Sequence, residues 1–406
     1  MSQAAAGTTE AQRGKFASIP TNVVWLVVAL SVNSLGLNYL MVVITAYFPS
    51  IGFSAGQVGL LLAADGLTMI AAGIPFGIIS DRYGRRRIML AGSVGVVPIL
   101  FIFALTSEIS YLLIGCTIGG VVEGAFLTTV NAVMADMTDP RYRDAAFSLS
   151  FILATAFGGL GFALPFAFPW LESLLGVSSL LLHRDAFIIF GIIGILATIA
   201  LWRAMASYEE VRRARTPKLT HLGTIVKFSA GNISIALGAG FIIPLIPTWL
   251  FLKFGVPDSL SGPLLAVAAI TMGLAAVLSP RMASRYGLVK TIVINQGLST
   301  LFMLSLAFVA GPLLAGVLYV IRAVLMNVAS PLMDTLLMSS VSPEERGRAS
   351  AINAIVWRFP NSITTLIGGI ILTQGQYSLP FFLATGFYAM GIASFYYFFR
   401  NSSMVS

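Results

Sequence analysis

The chain has 406 residues, of which 57% are hydrophobic and only 10% charged, with a mean hydropathy of +0.90; a soluble enzyme or binding domain carries about 25% charged residues, so that class is excluded. The formal net charge is +8, but the Lys and Arg are parcelled out along the chain rather than gathered in one run, which reads as membrane topology and not as a nucleic-acid surface. A single cysteine, Cys116, excludes an intramolecular disulfide.

Crossing about 30 Å of hydrocarbon takes about 20 apolar residues, so a chain of this length holds about twelve helices with short connections. The first twenty residues are small and polar, with Arg13 and Lys15 ahead of the first apolar run. No small-residue cleavage site follows a short apolar core, so an uncleaved first helix with a cytoplasmic N-terminus is expected. Apolar runs predict helices over 21–47, 56–80, 88–107, 110–136, 145–168 and 186–206. A polar stretch at 207–221 then divides the chain, and further runs follow at 222–252, 260–282, 290–309, 313–338, 348–372 and 380–399. The expected domains are a six-helix half over 1–206, a cytoplasmic linker over 207–221 and a second six-helix half over 222–406. With the N-terminus inside, 19 of the 24 Lys and Arg fall in segments assigned to the cytoplasm and only Arg184 and Lys253 on the other side. Lys227, Arg322 and Arg358 lie within helices. The C-terminus is then cytoplasmic too, in a multi-pass protein of the cell membrane.

A shift of 203 residues superposes Thr45 on Thr248, Gly52 on Gly255, Gly59 on Gly262 and Thr68-Met69 on Thr271-Met272. It also superposes Arg82-Tyr83-Gly84 on Arg285-Tyr286-Gly287 and Pro140-x-x-Arg143 on Pro343-x-x-Arg346. One constant offset over about a hundred residues indicates two parallel repeats, an architecture that places a site at the repeat interface. The register slips later, because the 169–185 connection is longer than its counterpart at 373–379.

The densest charge in the chain is at Gly77-Ile-Ile-Ser-Asp81-Arg82-Tyr-Gly84-Arg85-Arg86-Arg87, between two apolar runs. Such charge cannot sit in hydrocarbon, so this is a tight turn at a membrane face. Gly84 suits a positive φ, and Gly77 suits a close helix approach one turn earlier. The pattern Gly-x-x-x-Asp-Arg-x-Gly-Arg-Arg resembles the loop between helices 2 and 3 of the major facilitator superfamily, nearest in motif to its drug/proton antiporter-like branch. That resemblance implies an all-α integral membrane protein of twelve transmembrane helices in two pseudo-symmetric six-helix bundles. It also implies a cytoplasmic latch: Asp81 faces the start of helix 11, Glu345-Arg346-Gly347-Arg348-Ala349, and Arg85 bridges Asp81 to Asp136. In the second half Ser284 replaces the aspartate, and Leu288 and Val289 replace two arginines, so a second latch is expected to be degenerate.

Ionisable residues at membrane depth are the candidates for coupling or substrate binding. Glu123 lies thirteen residues before Asp136, about 20 Å from the inner end. Arg358 lies eleven residues beyond Gly347, also near the centre, while Arg322 and Asp65 fall in the outer half. Glu123 reads either as a proton-coupling acid or as the permanent partner of an arginine such as Arg358. Ser31, Ser34, Asn38 and Thr45 share one face of helix 1, and Arg358, Ser362 and Thr365 one face of helix 11. Such stripes either line a cavity or join helices. Gly158, Gly159 and Gly161 read as close packing, Trp357 as packing or substrate stacking, and Asp334 and Asn131 as structural.

Two histidines, no Cys/His cluster and no glycine loop before a nucleotide-binding helix leave no enzyme constellation and no cofactor. The expected function is a secondary transporter, exchanging protons for a small organic or amphiphilic compound and working as a monomer in the lipid bilayer. Proton-coupled uptake of an organic anion held by Arg322 and Arg358 is the alternative, and a non-transporting sensor on the same fold is a third reading. Helix 4 lacks the antiporters' membrane-embedded arginine and helix 5 their Gly-Pro element.

Overall fold

The computed structural model describes residues 19–210, 222–342 and 345–400, and every regular element among them is helical. Twelve long helices follow in order: α1 (Thr21–Val42), α2 (Ala55–Tyr83), α3 (Arg85–Leu105), α4 (Ile109–Met137), α5 (Arg143–Ala163), α6 (Ser179–Ala204), α7 (Leu222–Gly240), α8 (Asp258–Tyr286), α9 (Leu288–Leu306), α10 (Pro312–Ser339), α11 (Arg346–Thr373) and α12 (Leu379–Phe399). Eleven spans among the described residues are long and apolar enough to cross a membrane, and α8 contributes the apolar stretch Asp258–Thr271. Three helices continue through an irregular turn: α1 through a π-helical turn at Val43–Tyr47, α5 through a 3-10 turn at Leu164–Ala167 into Phe168–Leu175, and α7 through Ile243–Leu245 into Ile246–Phe254. This is an all-α membrane protein of the two-bundle type.

The internal repeat is written into the turns. Gly84, between α2 and α3, has φ +103°, and its counterpart Gly287, between α8 and α9, has φ +83°. Single residues with positive φ reverse the chain here, which glycine alone does without steric cost. Arg143 Nε donates to the Ala135 carbonyl at 3.0 Å, and 203 residues on Arg346 Nε donates to the Met338 carbonyl at 3.0 Å. Each arginine thus satisfies an orphan carbonyl at the end of α4 or α10, where a cation also suits the helix dipole.

α6 begins at Ser179 and not at 186, because Ser178 caps it by accepting from the Leu181 N–H. His183 is therefore one turn inside the helix, 2% exposed, and its Nδ1 pairs with the Tyr39 hydroxyl at 2.6 Å.

By internal contacts the chain divides into two units. One takes the described residues of Met1–Met41 and Thr68–Arg213, the other those of Val42–Leu67 and Ala214–Ser406. The second unit thus contains the end of α1 and the start of α2. Each unit has an apolar core built at equivalent positions, with Met89, Val133, Met134 and Ala146 in the first and Ile292, Leu336, Leu337 and Ala349 in the second. Large apolar side chains also point outward, Leu313 at 83% and Phe308 at 71% exposure among them. A patchwork of this extent suits hydrocarbon and not water.

Candidate functional site

In the first unit a charged cluster surrounds the α2–α3 turn. Arg85 Nη1 donates to Asp136 Oδ2 at 2.7 Å, with both side chains less than one-tenth exposed. The Tyr208 hydroxyl donates to the same Oδ2 at 3.1 Å. Glu210 accepts the backbone N–H groups of Arg85 at 3.0 Å and Arg86 at 3.1 Å, the first turn of α3. Free N–H groups and a positive dipole end make that turn a seat for a carboxylate. A Cβ on Gly84 would stand 2.5 Å from Glu210 Oε1, so the carboxylate lies directly over the glycine that the positive φ requires. Arg82 lies on the ring of Tyr83, 5.5 Å from its centroid. Burial, and then the charge of Asp136, push the Tyr208 hydroxyl up to about 12. The Asp81 side chain lies outside the described residues, as do Pro343 and Glu344 ahead of the helix expected to meet it.

Among the described residues, an added Cβ on Gly77 would meet Thr128 Cγ2 at an ordinary 3.9 Å. The tight position between α2 and α4 is Gly124, whose Cβ would stand 2.7 Å from the Met69 carbonyl and 2.9 Å from the Gly73 nitrogen.

In the second unit the start of α2 lies along the end of α11 on a seam of small residues. A Cβ on Gly59 would meet the Thr365 carbonyl at 2.7 Å, one on Gly369 the Ala55 carbonyl at 2.3 Å, and one on Gly66 the Ser362 hydroxyl at 2.1 Å. The Gly56 N–H donates to Thr373 Oγ1 at 2.8 Å. At the inner end of the seam Arg358 Nη2 and Asp65 Oδ2 stand 4.0 Å apart, each side chain about one-third exposed. Arg358 thus has an ion-pair partner on α2.

Beyond that pair the second unit holds a cavity of about 340 Å³. Asn232 of α7, Gln296 of α9, Asn327, Ser330 and Asp334 of α10, and Asn353 and Trp357 of α11 line it, with Ile235, Met326, Met333 and Ala354 between them. Asn232 Nδ2 donates to Asn353 Oδ1 at 2.6 Å, and Asn327 Nδ2 to Thr271 Oγ1 at 2.7 Å. Gln296 is 3% exposed and its Oε1 has no hydrogen-bond partner among the described residues. A buried acceptor without a donor is costly, and a cavity beside it is where a donor would come from. No lysine or arginine is among the described residues that line this cavity. Sequence reading passed over these amides and took Asp334 as structural. The signal was there, since Asn327, Ser330 and Asp334 recur at helical spacing, but an amide in a helix reads equally well as helix-to-helix glue.

Glu123 is half-buried at the fifteenth of the 29 residues of α4, its midpoint. Arg322 is 5% exposed inside the second bundle, where its Nη2 donates to the Tyr388 hydroxyl and the guanidinium lies 5.5 Å from the centroid of that ring. The helix 1 stripe turns inward on its own backbone: Ser31 donates to the Val27 carbonyl, Ser34 to that of Ser31 and Asn38 to that of Ser34. Asn38 also packs on Gly158 of α5, and a Cβ on Gly161 would strike the Leu35 carbonyl at 2.3 Å, whereas Gly159 faces open space.

The sequence matches the Major Facilitator Superfamily over residues 26–227 and again over 228–404. It is 25% identical over 358 residues to the tetracycline resistance protein, class C, of Escherichia coli, covering 85% of this chain and 87% of that one. It is 30% identical over 172 residues to the inner membrane transport protein YajR of Escherichia coli, 42% of this chain and about a third (35%) of that relative. The structure resembles a bacterial homolog of the human lysosomal transporter Spinster in an inward-facing, unoccupied conformation, with TM-score 0.74 at 18% identity over 93% of this chain and 96% of that one. Relatives and structural neighbours are transporters and not enzymes. Two successive matches spanning nearly all of the sequence, on a fold of the same type, show that this chain belongs to the Major Facilitator Superfamily.

Proposed function

We propose that the protein is a secondary active transporter that works by alternating access and exports a small organic or amphiphilic compound in exchange for protons. The observation that carries this reading is the cavity of the second unit: carboxamides, one carboxylate and a tryptophan, with no cation among its described lining. Such a wall offers acceptors and an apolar face to a neutral or cationic solute and nothing to balance an anion. Arg322 engaged by Tyr388 and Arg358 beside Asp65 weigh the same way against an organic anion. A tetracycline resistance protein among the relatives supports export of a drug-like compound.

In this reading the arginine-rich face is cytoplasmic, both termini are inside and the protein sits as a monomer in the cell membrane. Glu123, at the midpoint of α4, is the acid that takes up the proton. The turn that carries Asp81, Arg82, Gly84 and Arg85, with Asp136, is the latch that holds the cytoplasmic side shut and opens in each cycle.

The test is purified protein screened by thermal shift against tetraphenylphosphonium, ethidium and benzoate, followed by transport of whichever binds in proteoliposomes with an imposed pH gradient. Stabilisation by a cation, with transport that follows the pH gradient in wild type and not in Glu123→Gln, is the expected result. Stabilisation by benzoate alone would return the reading to anion uptake, and binding without transport would favour a sensor.

A further inference from the structure

We propose that Tyr208 and Glu210, on the segment that follows α6, are positioning residues of the latch at the α2–α3 turn. The beginning of the connection between the two halves is engaged while Arg85 is held on Asp136 and is let go when that pair opens. The proposal rests on the reading of Arg85 and Asp136 as part of a conformational latch.

Four contacts carry it, two of them to Arg85 itself and the others to Asp136 and Arg86 beside it. Asp136 Oδ2 accepts from both Arg85 Nη1 at 2.7 Å and Tyr208 at 3.1 Å, so the phenol bonds the acid that holds the guanidinium. Glu210 accepts the backbone N–H of that same Arg85, and of Arg86 beside it. Arg85 is therefore fixed at its side chain by a group that Tyr208 shares and at its backbone by Glu210. Charge-assisted bonds of this kind are the stronger class, and these sit at the positive end of α3. The carboxylate of Glu210 lies close over residue 84, where an added Cβ would stand 2.5 Å from its Oε1. Tyr208 packs against the apolar core of the first unit and its N–H donates to the Met205 carbonyl, so it is anchored to α6 and not adrift in a linker. A movement of the start of α3 away from Asp136 strains one or other of these bonds, because the 207–210 segment is tied to Asp136 through Tyr208 and to the Arg85 backbone through Glu210.

Glu209 supplies the control. It carries the same charge one residue earlier, is exposed, and has no bond of its side chain among the described residues. Any effect of Glu210 through net charge alone would be shared by Glu209.

The experiment uses the full chain in lipid nanodiscs on a Cys116→Ser background, with spin labels at Ser148 and Ser284. Both positions are exposed, one near the start of α5 and one near the end of α8. Pulsed dipolar spectroscopy gives the label separation for wild type, Asp136→Asn, Tyr208→Phe, Glu210→Gln and Glu209→Gln. Tyr208→Phe and Glu210→Gln should move the ratio of the two distance populations in the same direction as Asp136→Asn, by about fivefold, the change that loss of one hydrogen bond of ordinary net strength produces. Glu209→Gln should leave it unchanged. If Asp136→Asn shifts the ratio and neither Tyr208→Phe nor Glu210→Gln does, the two residues only hold local structure and the proposal is overturned while the latch stands. If Asp136→Asn shifts nothing, the latch reading falls and this proposal with it. Tyr208→Phe keeps the shape of the ring, so the test remains decisive should Glu210→Gln fold poorly.

Discussion

Thr248 Oγ1 donates to the Thr45 carbonyl at 2.6 Å, and the two threonines occupy equivalent positions of the 203-residue repeat. Both are buried, at 0% and 1% exposure, and Thr45 lies in the π-helical turn where the regular α1 ladder is interrupted. Such turns concentrate at functional sites. Here the turn leaves a carbonyl available to a helix from the other half of the sequence.

Thr248→Val keeps the shape and removes the donor. The bond contributes about 1 kcal/mol net, so the arrangement that joins the Val43–Tyr47 turn to the Ile246–Phe254 helix should lose about fivefold in population. Alkylation of a cysteine placed at the buried Ser362, from the face opposite the arginine-rich one, should quicken by the same factor. An unchanged rate would mean that this bond does not hold these two segments together.

Gly59→Ala should be far more damaging than its size suggests. The new Cβ would stand 2.7 Å from the Thr365 backbone carbonyl, which cannot swing aside as a side chain would. Overpacking of this kind costs typically about 1–3 kcal/mol. The α2–α11 seam should be weakened, and net transport should fall by about five- to a hundredfold, since 1.4 kcal/mol is a factor of ten. Gly159→Ala, facing open space, is the matched control and should transport normally.

Arg358 and Asp65 should couple in a double-mutant cycle of Asp65→Asn and Arg358→Gln. Because the pair is 4.0 Å apart and a third exposed, the coupling should be modest, about 0.5–1 kcal/mol. A parallel cycle of Glu123→Gln with Arg358→Gln should give less. A larger value in the second cycle would return Arg358 to Glu123 as its working partner.

Tyr208 predicts a loss of stability at alkaline pH. Its hydroxyl titrates near 12 when folded and at the ordinary 10.0 when unfolded, so above pH 10 the unfolded chain sheds a proton that the folded one keeps. Stability is then fully present below pH 10 and declines as pH rises toward 12. Thermal unfolding of Tyr208→Phe followed from pH 8 to pH 11 should decline less steeply than wild type, and parallel curves would show that the phenol does not report on the cluster.

Much of this protein was legible in one dimension. Hydropathy alone calls for a membrane protein, because each span must satisfy its backbone internally and so needs a continuous apolar run. The 203-residue shift was equally visible, since turns such as Gly84 and Gly287 require glycine for a reason local to the backbone. Charge at the α2–α3 turn was visible because arginine cannot be left in lipid. Partners, by contrast, were decided by tertiary structure. Nothing in a linear reading tells that Glu210 rather than Glu209 reaches the start of α3, or that Arg358 stands beside Asp65. Nor does it tell that α2 and α4 meet backbone to backbone at Gly124. Helical spacing ranks residues by face, but which face meets which neighbour depends on the packing of helices distant in sequence. For the amides around Gln296 the same spacing serves helix adhesion and cavity lining alike, and only the space left between α7, α9, α10 and α11 separates the two.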